Sequence, residues 1–164
     1  MENYRYILQL LTLVMLLVGV SVSVAYADDD EDEERDLPIV SNAKWEAECS
    51  DCHLAYPPHF LPAQSWRAVM LGLDKHFGGD ASIDATDAKE ITEFLEKNAD
   101  RRRHSSGGKP IVRITDMRWF KLEHDEISER TWKNTKVKSP ANCGACHTQV
   151  DLGDFSEHNV HIPR

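Results

Sequence analysis

The chain has 164 residues and a formal net charge of −9, so it has room for one compact domain or two very small ones. Its acidity disfavours nucleic acid as a partner. All four cysteines fall in two copies of one short pattern, which singles out those positions before anything else.

Residues 1–27 carry Arg5 near their start, an apolar run from Ile7 to Val24, and the small-residue signal Ala25-Tyr26-Ala27. This reads as a secretory signal peptide, so the mature chain is expected to be exported. An uncleaved membrane anchor is the alternative, because the run is close to the shortest span of a bilayer. Residues 28–40 follow as an acidic tail, in which Asp28 to Asp36 hold eight acids and one base. Such a segment cannot bury apolar surface and is expected to be disordered. It supplies seven of the nine net negative charges, and serves either as a solubilising tail or as a docking arm for a basic partner.

From Ile39 the composition becomes globular, and the pattern predicts short helices joined by long connections, a mostly α fold. Asn42 caps a first helix through Trp45 to His53, ended by Pro57-Pro58. A second begins near Pro62 and carries Trp66, Val69, Leu73 and His76 on one face as far as Gly78-Gly79. A third spans about Thr86 to Ala99 with Ala88, Ile91 and Leu95 inward. Arg101 to Gly108 forms a flexible basic loop and the best module boundary. Thr115 caps a fourth helix in which Met117, Phe120, His124 and Ile127 share a face. Ser139-Pro140 opens a short helix through Cys143 to His147, and the tail from Gly153 has no periodicity.

Cys49-Ser50-Asp51-Cys52-His53 and Cys143-Gly144-Ala145-Cys146-His147 both match CxxCH, the pattern of covalent haem c attachment. Two thiols one helical turn apart reach the two vinyl groups of a porphyrin, and the adjacent histidine is aimed at the iron. A zinc site of four thiolates would give no reason for a histidine after both pairs. Disulfides within CxxC would be strained and easily reduced. The motifs therefore predict two covalently bound haem c groups on Cys49 and Cys52, and on Cys143 and Cys146, with His53 and His147 as proximal ligands. They divide the chain into a first haem module, 41–104, and a second, 105–164.

The sixth ligand decides between electron transfer and ligand chemistry, since an open position admits oxygen or peroxide. Outside the leader the chain offers Met70 and Met117 against six spare histidines: His59, His76, His104, His124, His158 and His161. His76 and His124 fall on apolar helix faces and are assigned as distal ligands, giving bis-histidine coordination. Pairing His76 with the first haem and His124 with the second is simplest, and a crossed pairing stays open. Trp45, Trp66, Trp119, Trp132, Phe60, Phe77, Phe94 and Phe120 are expected to wall the porphyrins or build the core, which in so small a chain coincide. The basic residues Arg101 to Arg103, Lys109 and Arg113 read as a solvated loop, or as groups facing propionates or an acidic partner.

Trp45 to His53, Leu54-Ala55-Tyr56-Pro57-Pro58, Leu61-Pro62-Ala63-Gln64-Ser65-Trp66 and His76-Phe77-Gly78-Gly79-Asp80-Ala81-Ser82 together resemble the small dihaem cytochrome c family, abbreviated DHC. So do Arg113-Ile114-Thr115, Trp119-Phe120, His124-Asp125-Glu126, Ser139-Pro140-Ala141-Asn142-Cys143 and Ile162-Pro163. The resemblance implies two bis-histidine haems, an N-terminal half similar to class I cytochromes c and a C-terminal half of short helices and irregular loops. Its HFG histidine falls on His76, and the histidine after its WF pair on His124. It also implies a periplasmic electron carrier whose partners are other redox proteins, a membrane cytochrome b or a small soluble cytochrome c, with a peripheral membrane association as an option. The acidic tail departs from the family pattern. A small dihaem peroxidase or oxygen-binding protein with one open iron, and a redox-sensing module, are the competing functional readings.

Overall fold

The computed structural model describes residues 39–101 and 108–164. The leader, the acidic run and the middle of the basic loop with His104 lie outside the described residues. The described residues belong to one compact unit and are mostly helical, with isolated β-bridges His76 to Gly79 and His147 to Val160 in place of any strand.

Helix α1, Ala43–Cys49, starts where the Asn42 carboxamide accepts the N–H groups of Lys44 and Trp45. It ends four residues before His53, earlier than the periodicity predicts. At its end the Ser50 N–H and hydroxyl both bond the Glu46 carbonyl, and this capped turn releases Cys52 and His53 from the helix. Helix α2, Ala63–Met70, follows Pro62, and helix α3, Ala85–Asn98, is capped by the Asp84 carboxylate accepting the Thr86 N–H.

The pair α2 and α3 forms the packed centre of the first half. Ile91 and Leu95 are fully buried, Trp66 donates its indole N–H to the Pro58 carbonyl at 2.6 Å, and Trp45 of α1 leans on Phe94 with ring centres 5.4 Å apart. Lys44 ties α1 to α3 through Asp87 at 2.6 Å and Glu90 at 2.7 Å.

The long second helix predicted from the sequence is interrupted. After Met70 the chain turns through Leu71 and Gly72, makes a single 3₁₀ turn at Leu73–Lys75, and leaves His76 in extended backbone. His76 therefore sits in a hairpin-like turn and not on a helix face. Phe77 and Gly78 have φ of 50° and 106°, and the latter is a conformation that suits glycine.

The fourth predicted helix is likewise divided. A 3₁₀ turn at Ile114–Asp116 precedes α4, Arg118–Glu123, and His124 is its capping residue. Thr115 caps nothing, because that turn closes through backbone bonds and Met117 flanks the helix start. Ile127 lies beyond α4, and α5, Glu129–Trp132, follows with Ser128 accepting the Thr131 N–H. Around the second motif only a 3₁₀ turn, Cys143–Ala145, forms in place of the expected short helix.

The two halves share their interior. Met117 and Phe120 are buried with Trp45, Leu61, Trp66 and Ile91, and Trp119 donates its indole N–H to the Phe60 carbonyl at 3.2 Å. Met70 packs on the same cluster, so both methionines outside the leader belong to the core.

Candidate functional site

The first site is assembled by two short segments. The last residue of α1 and the turn after it present Cys49, Cys52 and His53, and the turn after the 3₁₀ segment at Leu73–Lys75 presents His76. The His53 and His76 rings face each other with centres 6.0 Å apart and planes 25° apart. The second site repeats the plan: His147, leaving the turn that holds Cys143 and Cys146, faces His124 at the end of α4, with ring centres 6.1 Å apart and planes at 64°. An iron between two imidazoles needs a metal–nitrogen bond of about 2 Å on each side, which with the ring radii sets the ring centres roughly 6 Å apart.

Hydrogen bonds orient the rings. His53 Nδ1 lies 2.8 Å from the Leu54 carbonyl and His124 Nδ1 lies 2.9 Å from the Phe120 carbonyl. A ring that donates from Nδ1 keeps its Nε2 lone pair for a metal. The buried Nδ1 of His147 has no well-aligned acceptor, although the Phe155 backbone lies on its side and favours the charged ring. Burial, and the neighbouring imidazole of each pair, hold His76 and His147 below the ordinary histidine range, so both favour the neutral form that binds metal.

No disulfide joins the four cysteines, which leaves each thiol available for attachment. Burial pushes Cys49 and Cys143 up to about 11 and raises Cys146 as well, which keeps these groups as neutral thiols at neutral pH. A cavity of about 960 Å³ lies between the two attachment turns, lined by Cys52 and His53 on one side and by Cys143 and Gly144 on the other. Among the described residues no three histidine, cysteine or acidic side chains converge as a zinc cage requires.

Aromatic rings surround the second site. Phe120 stacks on His124 at 4.1 Å, Trp132 lies 6.0 Å from the same ring, and Phe155 lies 5.5 Å from His147 and 4.9 Å from Phe60. Of the eight aromatic residues expected to wall porphyrins, Trp45, Trp66, Phe60 and Phe120 are buried in the core. Phe77 is about half exposed beneath the Arg113 guanidinium, 4.3 Å above its ring. Phe155 and Tyr56 were not legible as site residues. Phe155 sits in the aperiodic tail, and Tyr56 gave only its place three residues after His53.

Imidazole pairs at this spacing, each beside two thiols able to bond a porphyrin edge, can hold haem irons and fix them covalently. The class so defined is that of the c-type cytochromes. The family described as dihaem cytochrome c matches residues 45–155. A crystal structure of DHC purified from Rhodobacter sphaeroides is 43% identical, with a TM-score of 0.61, and the match covers 71% of this chain and 98% of that one. The diheme cytochrome sb-DHC of Shewanella baltica OS155 is 39% identical with a TM-score of 0.66, over 76% of this chain and 95% of that one. No curated protein matches the chain. The chain belongs to the dihaem cytochrome c family; it carries two covalently bound haem c groups and serves haem-based electron transfer.

Proposed function

We propose that this chain is an exported, periplasmic electron carrier whose two haems are low-spin with two histidine ligands each, exchanging electrons with other redox proteins. The observation that carries the reading is the pair of facing imidazole couples at 6.0 and 6.1 Å. In this reading Cys49 and Cys52 attach the first haem, between His53 and His76. Cys143 and Cys146 attach the second, between His147 and His124.

Held by these residues, each haem would supply one-electron exchange between a reduced donor protein and an oxidised acceptor protein. With an imidazole on either side, the couples His53 with His76 and His147 with His124 would exclude oxygen and peroxide from the group they hold. Nδ1 contacts to the Leu54 and Phe120 carbonyls hold His53 and His124 in one orientation across the redox change, which keeps reorganisation small. Paired histidines favour a lower potential than histidine with methionine. A membrane cytochrome b or a small soluble cytochrome c is the proposed partner class, and the acidic run Asp28 to Asp36 suits a partner with a basic face.

Optical and magnetic-resonance spectra of both oxidation states test the reading. Two low-spin signals are expected, and His76→Ala or His124→Ala should each turn one haem high-spin and leave the other unchanged. Carbon monoxide binding to the reduced wild-type protein without loss of fold would overturn it in favour of an open-site haem protein.

A further inference from the structure

Tyr56 touches both halves of the site. Its ring stacks on His53, with centres 4.9 Å apart and planes 24° apart, on the imidazole that itself faces His76. Its hydroxyl donates a hydrogen bond of 2.6 Å to the carbonyl of Ala141, a residue 85 positions away. Ala141 stands two residues before Cys143, and the Cys143 thiol also approaches that carbonyl, at 3.8 Å. Tyr56 lines the cavity between the two attachment turns together with His53, Ala141 and Cys143.

The His53 ring has one hydrogen bond, from Nδ1 to the carbonyl of the next residue. That bond restrains the ring from one edge only. A stacked aromatic face adds a restraint across the ring plane, and a hydroxyl anchored at its far end keeps the aromatic face in place. The anchor lies on the turn that carries the second pair of thiols, so the two centres are joined by a chain of direct contacts.

We infer that Tyr56 is a positioning residue for the first haem: its ring fixes the plane of His53, and its hydroxyl fastens that ring to the second attachment turn. The inference rests on His53 and His76 being the ligands of the first haem. The relative angle of two axial imidazoles sets the splitting of the iron d orbitals that carry the unpaired electron. Tyr56 thereby controls the electronic character of one centre from a residue that touches both.

The test uses the full-length holoprotein and its variants Tyr56→Phe and Tyr56→Leu, with haem content per chain as the folding control. Low-temperature electron paramagnetic resonance of the oxidised protein and an optical redox titration are recorded for each. Tyr56→Leu should shift the low-spin signal of the first haem toward larger anisotropy and move one of the two reduction steps. Tyr56→Phe should shift the same signal in the same direction by less, and the second haem's signal should stay in place in both. A first-haem signal unmoved in Tyr56→Leu overturns the inference, as does a larger change at the second haem. Signals are assigned to centres with His76→Ala and His124→Ala. A wild-type protein lacking one low-spin signal would instead remove the ligand reading itself, so the two failures are distinguishable.

Discussion

The two imidazole couples differ in the angle between their planes, 25° for His53 with His76 and 64° for His124 with His147. Nearly parallel rings lift the degeneracy of the iron orbitals, and rings nearer to perpendicular preserve it. The oxidised holoprotein should therefore show one moderately rhombic low-spin signal and one of larger anisotropy in electron paramagnetic resonance. His76→Ala should remove the rhombic one, and His124→Ala the other. Two superimposable signals would contradict the geometry. Core residues act at the same scale by a different force. Ile91 and Leu95 are sealed between α2 and α3, and Leu95→Ala should destabilise the fold by about 2–5 kcal/mol in a thermal or denaturant melt of the holoprotein.

At the scale of elements, the site depends on interruptions more than on helices. His76 reaches His53 because the chain breaks at Gly72 and reverses through Phe77 and Gly78. A side chain at Gly78 would meet open space yet must adopt φ of 106°, so Gly78→Ala should lower stability by about 1–2 kcal/mol through backbone strain. It should also broaden the signal of the first haem and spare the second. Thermal melting and the same spectra check both statements.

Asp154 performs the corresponding task near His147. Its carboxylate accepts the Ser156 N–H at 2.8 Å and the Asn159 amide at 2.6 Å, and these bonds, the Ser156 N–H first, hold its carboxyl below the usual range. Asp84 at the start of α3 is lowered in the same way by the Thr86 N–H. A depressed carboxylate contributes stability above its ordinary value, about 4, and loses that contribution as pH falls through the lowered one. Acid unfolding followed by circular dichroism should therefore steepen below about pH 4. Asp154→Asn should reduce that steepening without moving the stability plateau at acid extremes.

For the whole molecule, the described core is small, and the groups that would complete it are the haems. Trp45, Trp66, Phe60 and Phe120 bury their rings, yet the attachment turns are short 3₁₀ or irregular segments with little packing of their own. A host unable to attach haem should yield a colourless chain with most of its helical circular dichroism lost. From a competent host, the purified protein should exceed its polypeptide mass by two haems.

How much of this was visible beforehand follows the reach of each interaction. The CxxCH motifs, the Asn42 cap and the inward face of α3 are local, since each depends on residues within a few positions of one another. The helices predicted to carry His76 and His124 on apolar faces were too long. Hydrophobic spacing at Leu73 and Ile127 continued past the points where backbone bonds at Gly72 and His124 had already turned the chain.

The sequence by itself determined the thiol pairs, the adjacent histidines and the mostly helical class, because covalent attachment and helix capping are written in short spacings. Only the tertiary structure decided which imidazoles face each other, at what angle, and that Tyr56 spans 85 positions to join the two attachment turns. Those facts arise from chain reversals and long-range packing, whose energies are shared among residues that no local pattern connects.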